Sequence, residues 1–170
     1  MDNTLMIYLS DNGMMLGEHH LLEWKNLPYW WSTTIPMVVR WDGHVGRNST
    51  DTRLALNVDL ATTISRATGA PMQTEGLDLL GPRRRGGYPL EAARPLRFDS
   101  LPNHPAYCGF RTARFMFAQY ANGFRELYDY ARDPHELTNR AYDRRHRERV
   151  RILRARARAT CSPRPPGFSW

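Results

Sequence analysis

Residues 4–25 read TLMIYLSDNGMMLGEHHLLEWK, and this stretch carries the strongest structural signal in the chain. It begins with the apolar run 5–9, which is short, contains branched and aromatic side chains, and ends abruptly at SDNG. Such a run is typical of a buried parallel strand that is covered on both faces. The SDNG residues predict a turn, because short polar side chains bond their own backbone and glycine accepts positive φ. We therefore expect Asp11 and Asn12 just beyond the carboxyl end of a strand, where open α/β sheets bind ligands.

A carboxylate next to an amide is a ligand pair that suits a hard cation. Oxygen ligands of this kind bind Ca²⁺ or Mg²⁺. Lys25 is the only lysine in the chain, and its compact ammonium group is suited to meet an anion bound to that cation. The residues alone leave a second interpretation open, in which the SDNG segment is an ordinary Asx turn with solvated side chains.

Several stretches resemble motifs of the sulfatase family, within the alkaline-phosphatase-like superfamily. Residues 10–19, SDNGMMLGEH, resemble the second metal-binding segment of that family. Further matches follow in family order. Residues 35–40, IPMVVR, resemble the V-P-L-x-x-R strand, and residues 57–63, NVDLATT, resemble the V-D-L-x-P-T helix start. The C-terminal signature R-T…E-L-Y-D-L…D-P-x-E-x-x-N is matched by residues 111–112, 126–129, 133–134 and 136–139. Ala61-Thr62 departs from this pattern, because the family tends to have a Pro-Thr pair there. The chain as a whole is similar to the C-terminal portion of a bacterial sulfatase.

The resemblance implies an α/β fold made of two regions. Residues 1–70 would form the last portion of an alkaline-phosphatase-like core, with parallel strands and a helix. Residues 71–105, rich in Pro, Gly and Arg, predict a long surface connection. Residues 106–170 would form a small antiparallel sheet with a basic C-terminal helix and tail.

The resemblance also assigns candidate site residues. Asp11 and Asn12 would be metal ligands for Ca²⁺ or Mg²⁺, and Lys25 and His19 would bind the substrate sulfate. The nucleophile of the family is a formylglycine made from Cys or Ser in a C/S-x-P-x-R motif. This sequence has no such motif, since CSPRP at residues 161–165 holds proline at the arginine position. Asp11 and Asn12 also supply only a fraction of the 6–8 oxygen ligands of Ca²⁺. We therefore expect a half site and no formylglycine-dependent turnover by this chain alone.

Two other functions stay open at this point. The same superfamily contains phosphoesterases and phosphonate hydrolases, which also use D-N-G loops. A basic binding module is the non-enzymatic alternative, because the formal charge is +7 and residues 143–160 predict an arginine-rich amphipathic helix. Nucleic acid is not the expected partner, because no aromatic residues are interleaved for base stacking.

The sequence gives less specific signals about the compartment of the protein. No apolar run reaches the roughly 20 residues of a membrane helix. No secretory signal is visible at the start of the sequence, which favours a cytoplasmic location. Cys108 and Cys161 are too few for a disulfide framework, and free thiols are expected over the alternative of one tether between the sheet and the tail.

Local patterns predict the remaining elements. Residues 57–67 predict a helix with Asp59 as N-cap and Gly69 just after its end. A hairpin is predicted over 107–111 and 114–120, and a strand over 126–130 after the Asn122-Gly123 turn. The aromatic segment 28–31 is expected to pack, with a reshaped substrate mouth as the open alternative. The basic run 83–85 is expected to be solvated.

Overall fold

The computed structural model describes residues 3–93 and 105–170. Its strands, in chain order, are β1 (Met6–Leu9), β2 (Met15–Leu16), β3 (Leu22–Trp24), β4 (Met37–Arg40), β5 (Tyr88–Ala92), β6 (Tyr107–Arg111), β7 (Phe115–Tyr120) and β8 (Arg125–Asp129), and its helices are α1 (Trp30–Thr33), α2 (Asp59–Thr68) and α3 (Arg147–Thr160). No helix in the described ranges combines the length and hydropathy needed to cross a membrane.

The chain divides into two compact units, and the segment 12–34 belongs to the second. The first unit comprises residues 1–11 and 35–86, and the second comprises residues 12–34 and 87–170. The sequence predicts that segment 12–34 belongs to the α/β core over residues 1–70. In the structure, hydrogen bonds from Tyr29 and Trp30 to the C-terminal region of the chain hold it in the second unit.

In the first unit, β1 and β4 pair antiparallel, with Met6 opposite Arg40 and Leu9 opposite Met37. The sequence predicts parallel strands buried on both faces, and this expectation is wrong for the pairing of these two strands. Alternate residues are exposed, with Tyr8 72% and Val38 61% accessible. A short apolar run indicates a strand but does not fix the direction of its neighbour.

The helix α2 closely follows its predicted range. It ends before Gly69, which takes the left-handed conformation with φ 70° as expected. Asp59 is the first helical residue rather than the N-cap, and its buried carboxylate accepts from the main-chain N–H groups of Leu56 and Leu77 at 2.8 Å each. It also pairs with Arg85, which is largely buried, so the prediction of a solvated basic run is wrong at that residue.

The second unit is built on the antiparallel sheet β5–β6–β7–β8. The β6–β7 hairpin is confirmed, with Phe110 opposite Phe117, and so is the turn to β8, where Gly123 has φ 84°. The strand β5 lies inside the predicted surface connection 71–105, so that stretch is not wholly loop. Residues 94–104 of the same stretch lie outside the described residues.

The helix α3 covers one face of this sheet. Its buried residues are Val150, Leu153 and Ala157, as the periodicity predicts. They form a core cluster with aromatic and aliphatic side chains of the sheet, among them Phe117 and Leu127. This packing buries one stripe of an otherwise polar helix, which is the normal source of helix stability in a folded protein.

Cys108 and Cys161 form a disulfide, so the expectation of free thiols is wrong. The two residues are 53 positions apart in sequence, but their Cα atoms lie 6.2 Å apart because the end of α3 packs beside β6. This separation is normal for a disulfide. The bond ties the C-terminal end of α3 to the middle of the sheet.

Candidate functional site

Asp11 lies in the turn that follows β1, as the sequence predicts. Its side chain is exposed, and its Oδ1 accepts from the Ser10 hydroxyl at 3.3 Å. The main-chain carbonyl of Asp11 accepts from the Asn57 amide at 3.2 Å, which ties the turn to the segment before α2. The carboxylate therefore stands at the tip of a strand, in a position open to solvent.

Asn12 begins the segment that belongs to the second unit. Its amide nitrogen donates to the Gly13 carbonyl at 2.9 Å, which orients the amide plane. The Gly13 N–H donates to the Ser32 carbonyl at 3.2 Å. A Cβ at Gly13 would collide with the main-chain oxygen of Trp31, so this turn requires glycine to pack against residues 31–34.

His19 is held in place by aromatic rings. Its imidazole stacks on Tyr29, with ring centroids 4.2 Å apart, and lies 6.1 Å from the Trp31 ring. Burial lowers the pKa of His19 below 6.5, so its ring is neutral at neutral pH. The Nε2 atom is buried and has no hydrogen-bond partner among the described residues. A buried polar atom without a partner is costly, and it is an expected feature of a ligand site.

Lys25 directly follows β3 and is exposed. The backbone around it is unusual, since Glu23 and Asn26 have φ of 62° and 64°. His19 and His20 also have positive φ, at 53° and 61°. Positive φ is uncommon in residues other than glycine, and such conformations concentrate at functional sites. The segment 17–26 is therefore held in a shape that its local sequence does not favour.

Glu126 anchors this segment to the sheet of the second unit. Its buried carboxylate accepts hydrogen bonds from Tyr29 at 3.0 Å, from Tyr128 at 2.9 Å and from Tyr120 at 2.5 Å. Burial is the main cause that raises the pKa of all three tyrosines, and the Glu126 carboxylate adds to it. The ring that supports His19 is thus fixed by its hydroxyl group.

A second anchor lies next to the first. Glu136 is 1% exposed, and its carboxylate accepts from the Trp30 main-chain N–H at 2.9 Å and from the Tyr130 hydroxyl at 2.8 Å. Burial raises the pKa of Glu136 to about 7. Arg111 lies with its guanidinium carbon 4.5 Å from the Trp30 ring centroid and donates to the Thr33 hydroxyl at 2.6 Å. Helix α1 is therefore held at its start and at its end.

Sequence reasoning missed these anchors. It noted Arg111, Glu126 and Glu136 only as members of a C-terminal signature, whereas all three contact the segment that carries His19. Tyr29 and Trp31 are partly buried and pack against core clusters, as expected, whereas Trp30 is 40% exposed. The sequence feature that could have indicated these anchors is the presence of Glu126 and Glu136 close to Tyr128 and Tyr130.

Asp11 and Asn12 carry a carboxylate and an amide oxygen, which are of the kind that Ca²⁺ and Mg²⁺ prefer. Another possible ligand group is Glu91 with Cys108 and Cys161, whose ligand atoms lie within 4.8 Å of one another. That group does not fit a metal, because the disulfide occupies both sulfur atoms.

Comparison with known proteins finds sulfatases among the relatives of this chain. Residues 1–70 match the sulfatase family model. The N-acetylglucosamine-6-O-sulfatase of Bacteroides thetaiotaomicron is 27% identical over 167 residues, covering 90% of this chain and 30% of the relative. This chain spans about a third of the length of the curated relatives that it matches over most of its own length.

Solved structures share the fold. One is a protein in complex with its substrate D-glucosamine-2-N,6-O-disulfate, with a TM-score of 0.82, 23% identity, and coverage of 94% of this chain and 34% of the other. Another is the phosphonate monoester hydrolase of Agrobacterium radiobacter, with a TM-score of 0.72, 26% identity, and coverage of 92% and 36%. The matched residues include members of both compact units.

Proposed function

We propose that this chain, whose residues 1–70 match the sulfatase family model and which is similar to sulfatases over most of its length, supplies some of the residues of a sulfuric ester hydrolase site. In this proposal Asp11 and Asn12 are metal ligands, and His19 and Lys25 bind the sulfate group. The observation that carries the proposal is the buried and unpartnered Nε2 of His19, on the segment that follows Asp11-Asn12-Gly13.

Asp11 and Asn12 would hold a divalent cation, with Ca²⁺ as the first candidate and Mg²⁺ as the second. Both residues offer hard oxygen donors, and Asp11 is exposed at the tip of β1. When bound, such a cation neutralises negative charge on the sulfate oxygens. The two residues provide only a fraction of a full coordination shell, so the remaining ligands must come from other residues or water.

His19 and Lys25 have complementary roles in this proposal. Lys25 is exposed and carries a compact positive charge suited to an oxyanion. His19 is neutral, because burial lowers its pKa, and its Nε2 can form a directed hydrogen bond with a substrate oxygen. The stacking of His19 on Tyr29, together with the Tyr29–Glu126 hydrogen bond, fixes the imidazole before substrate binds.

Hydrolysis by the 170-residue chain alone is not expected. A C/S-x-P-x-R motif is not present among its residues, so it supplies no formylglycine nucleophile. We infer that turnover requires the portion of the fold that carries that motif. The substrate class would be a sulfated sugar, because the curated relative is named for N-acetylglucosamine 6-O-sulfate and the solved complex contains a glucosamine disulfate.

The metal assignment is tested by thermal unfolding of the chain with and without Ca²⁺. A site with few protein ligands binds weakly, and at Ca²⁺ ten times above its Kd the stabilisation is about 1.4 kcal/mol. We expect Asp11→Ala to lose this stabilisation. Glu75→Ala is the matched control, because Glu75 is an exposed acid of the same unit outside the turn.

Equal responses to Ca²⁺ in the wild-type chain and in Asp11→Ala would refute the metal assignment. The sulfate-binding roles are tested separately by NMR titration with inorganic sulfate. The imidazole signals of His19 should shift while those of His44, in the other unit, stay unchanged.

The second candidate is a phosphonate monoester hydrolase of the same superfamily. The observation that favours it is the fold shared with the Agrobacterium radiobacter enzyme at 26% identity. Once the chain is combined with the region that carries the nucleophile, hydrolysis of an aryl sulfate in preference to an aryl phosphonate supports the sulfatase assignment. The reverse preference supports the phosphonate hydrolase.

A further inference from the structure

Four arginines form a row along one flank of α3. They are Arg147, Arg151, Arg154 and Arg158, and their spacing of four, three and four residues places them on the same side of the helix. At the rise of an α-helix the row is about 16 Å long. It lies beside the buried stripe rather than within it, because Val150, Leu153 and Ala157 point into the core.

Most of the charge in this arginine row is not neutralised by the residues that the structure describes. Arg151 pairs with Glu148, but both side chains are about two-thirds exposed (70% and 67%), and such surface pairs are weak. Arg154 donates to the neutral Gln119 side chain at 2.8 Å. Arg147 and Arg158 form no ion pair within the ranges of the chain that the structure describes.

An aromatic side chain from the tail lies at one end of the row. The guanidinium carbons of Arg154 and Arg158 are 5.9 Å and 5.6 Å from the ring centroid of Trp170. Trp170 also packs edge-on against Phe168, with ring centroids 4.9 Å apart, and this contact holds the Trp170 ring in place. Three groups that recognise anionic sugars, two guanidinium groups and an aromatic face, are therefore adjacent.

We propose that the arginine row binds a linear sulfated polysaccharide, outside the segment that carries His19 and Lys25. A linear polymer with repeated sulfate groups matches a straight row of guanidinium groups, which bind oxyanions in a bidentate manner. The row lacks aromatic side chains interleaved between its arginines, which single-stranded nucleic acids use for stacking. The choice of a sulfated polymer as the ligand rests on the proposed function. The existence of the positive row does not depend on that function.

The test measures binding of a heparin oligosaccharide to the whole chain by calorimetry at several NaCl concentrations. The variant Arg147→Gln/Arg158→Gln removes two charges from the row. The control Arg149→Gln/Arg156→Gln also removes two charges, but from the opposite flank, where these arginines lie over Phe115 and Phe110. Circular dichroism melting of both variants verifies that they fold.

We expect the row variant to bind heparin about tenfold more weakly, because it loses two of the four guanidinium groups that attract the anionic polymer. Its salt dependence should also fall by about one unit of the log–log slope per lost contact. The control variant should keep most of the affinity, and fully desulfated heparin should not bind.

Three results would overturn this proposal. The first is an equal loss of affinity in both variants, which would indicate attraction by net charge alone. The second is equally tight binding of duplex DNA, which would indicate a general polyanion surface. The third is loss of heparin binding in Asp11→Ala, which would place the polymer at the metal turn. Binding that persists in Asp11→Ala, even when that variant shows no Ca²⁺ response, supports the arginine row independently of the metal assignment.

Discussion

Replacing Glu136 by glutamine should remove a pH dependence from the stability of this protein. Glu136 is buried, and its carboxylate accepts hydrogen bonds from the Trp30 N–H and the Tyr130 hydroxyl. Burial raises its pKa from 4.5 to about 7, although both hydrogen bonds and the nearby Arg111 act in the opposite direction. Glutamine has the same shape and keeps an amide oxygen for the Trp30 N–H, so the packing is preserved.

The sign of the effect follows from proton binding. Between pH 4.5 and about pH 7 the folded chain holds the Glu136 proton while the unfolded chain releases it. The free energy of unfolding therefore falls as the pH rises through this window, and the loss is complete above about pH 7. The difference between the two pKa values corresponds to about 3 kcal/mol.

The assay is urea unfolding of the wild-type chain and of Glu136→Gln at a series of pH values between about 4 and 8. The difference between the two curves isolates Glu136 from other groups. His19 acts with the opposite sign, because its lowered pKa makes stability rise with pH up to 6.5. Glu148→Gln is the control, since Glu148 is exposed and its pKa is lowered by Arg151.

Parallel stability curves for the wild-type chain and Glu136→Gln between about pH 5 and 7 would refute this reasoning. That result would mean that Glu136 ionises normally in the folded chain. The anchor between α1 and the C-terminal segment would then be more hydrated than the contacts of Glu136 indicate.

Two further predictions concern the second unit. Tyr128→Phe removes one hydroxyl donor from the buried Glu126 carboxylate and should cost about 1–3 kcal/mol in chemical denaturation; unchanged stability would contradict the role of that hydrogen bond. Reduction of Cys108–Cys161 releases a cross-link that spans 53 residues and should lower the free energy of unfolding by about 4 kcal/mol, measured with and without dithiothreitol. Detection of two free thiols in the native, unreduced chain would contradict this second prediction.

Local patterns were sufficient for the elements whose contacts are close in sequence. The β6–β7 hairpin and the turn at Gly123 follow from alternation and an Asn-Gly pair. The apolar stripe of α3 follows from its helical period. These features depend on residues a few positions apart, so the local sequence is enough to predict them.

Other features could not be predicted because they depend on residues that are distant in sequence. Tyr29 and Glu126 are 97 positions apart, and no local pattern pairs them. The same holds for the Asp59–Arg85 ion pair, which turned an expected solvated arginine into a buried one. The direction of β4 relative to β1 also depends on the path of the whole chain between them.

The resemblance to sulfatases, the order of strands and helices within residues 106–170, and the residues at which metal and sulfate chemistry is expected all follow from the amino-acid sequence. They follow from it because turns, periodicity and motif spacing are local properties. Only the folded chain reveals that the Nε2 atom of His19 is buried without a hydrogen-bond partner among the described residues, that Glu126 and Glu136 hold its segment, and that Cys108 meets Cys161. The physical reason is that burial, pKa and disulfide pairing depend on which distant side chains folding brings together.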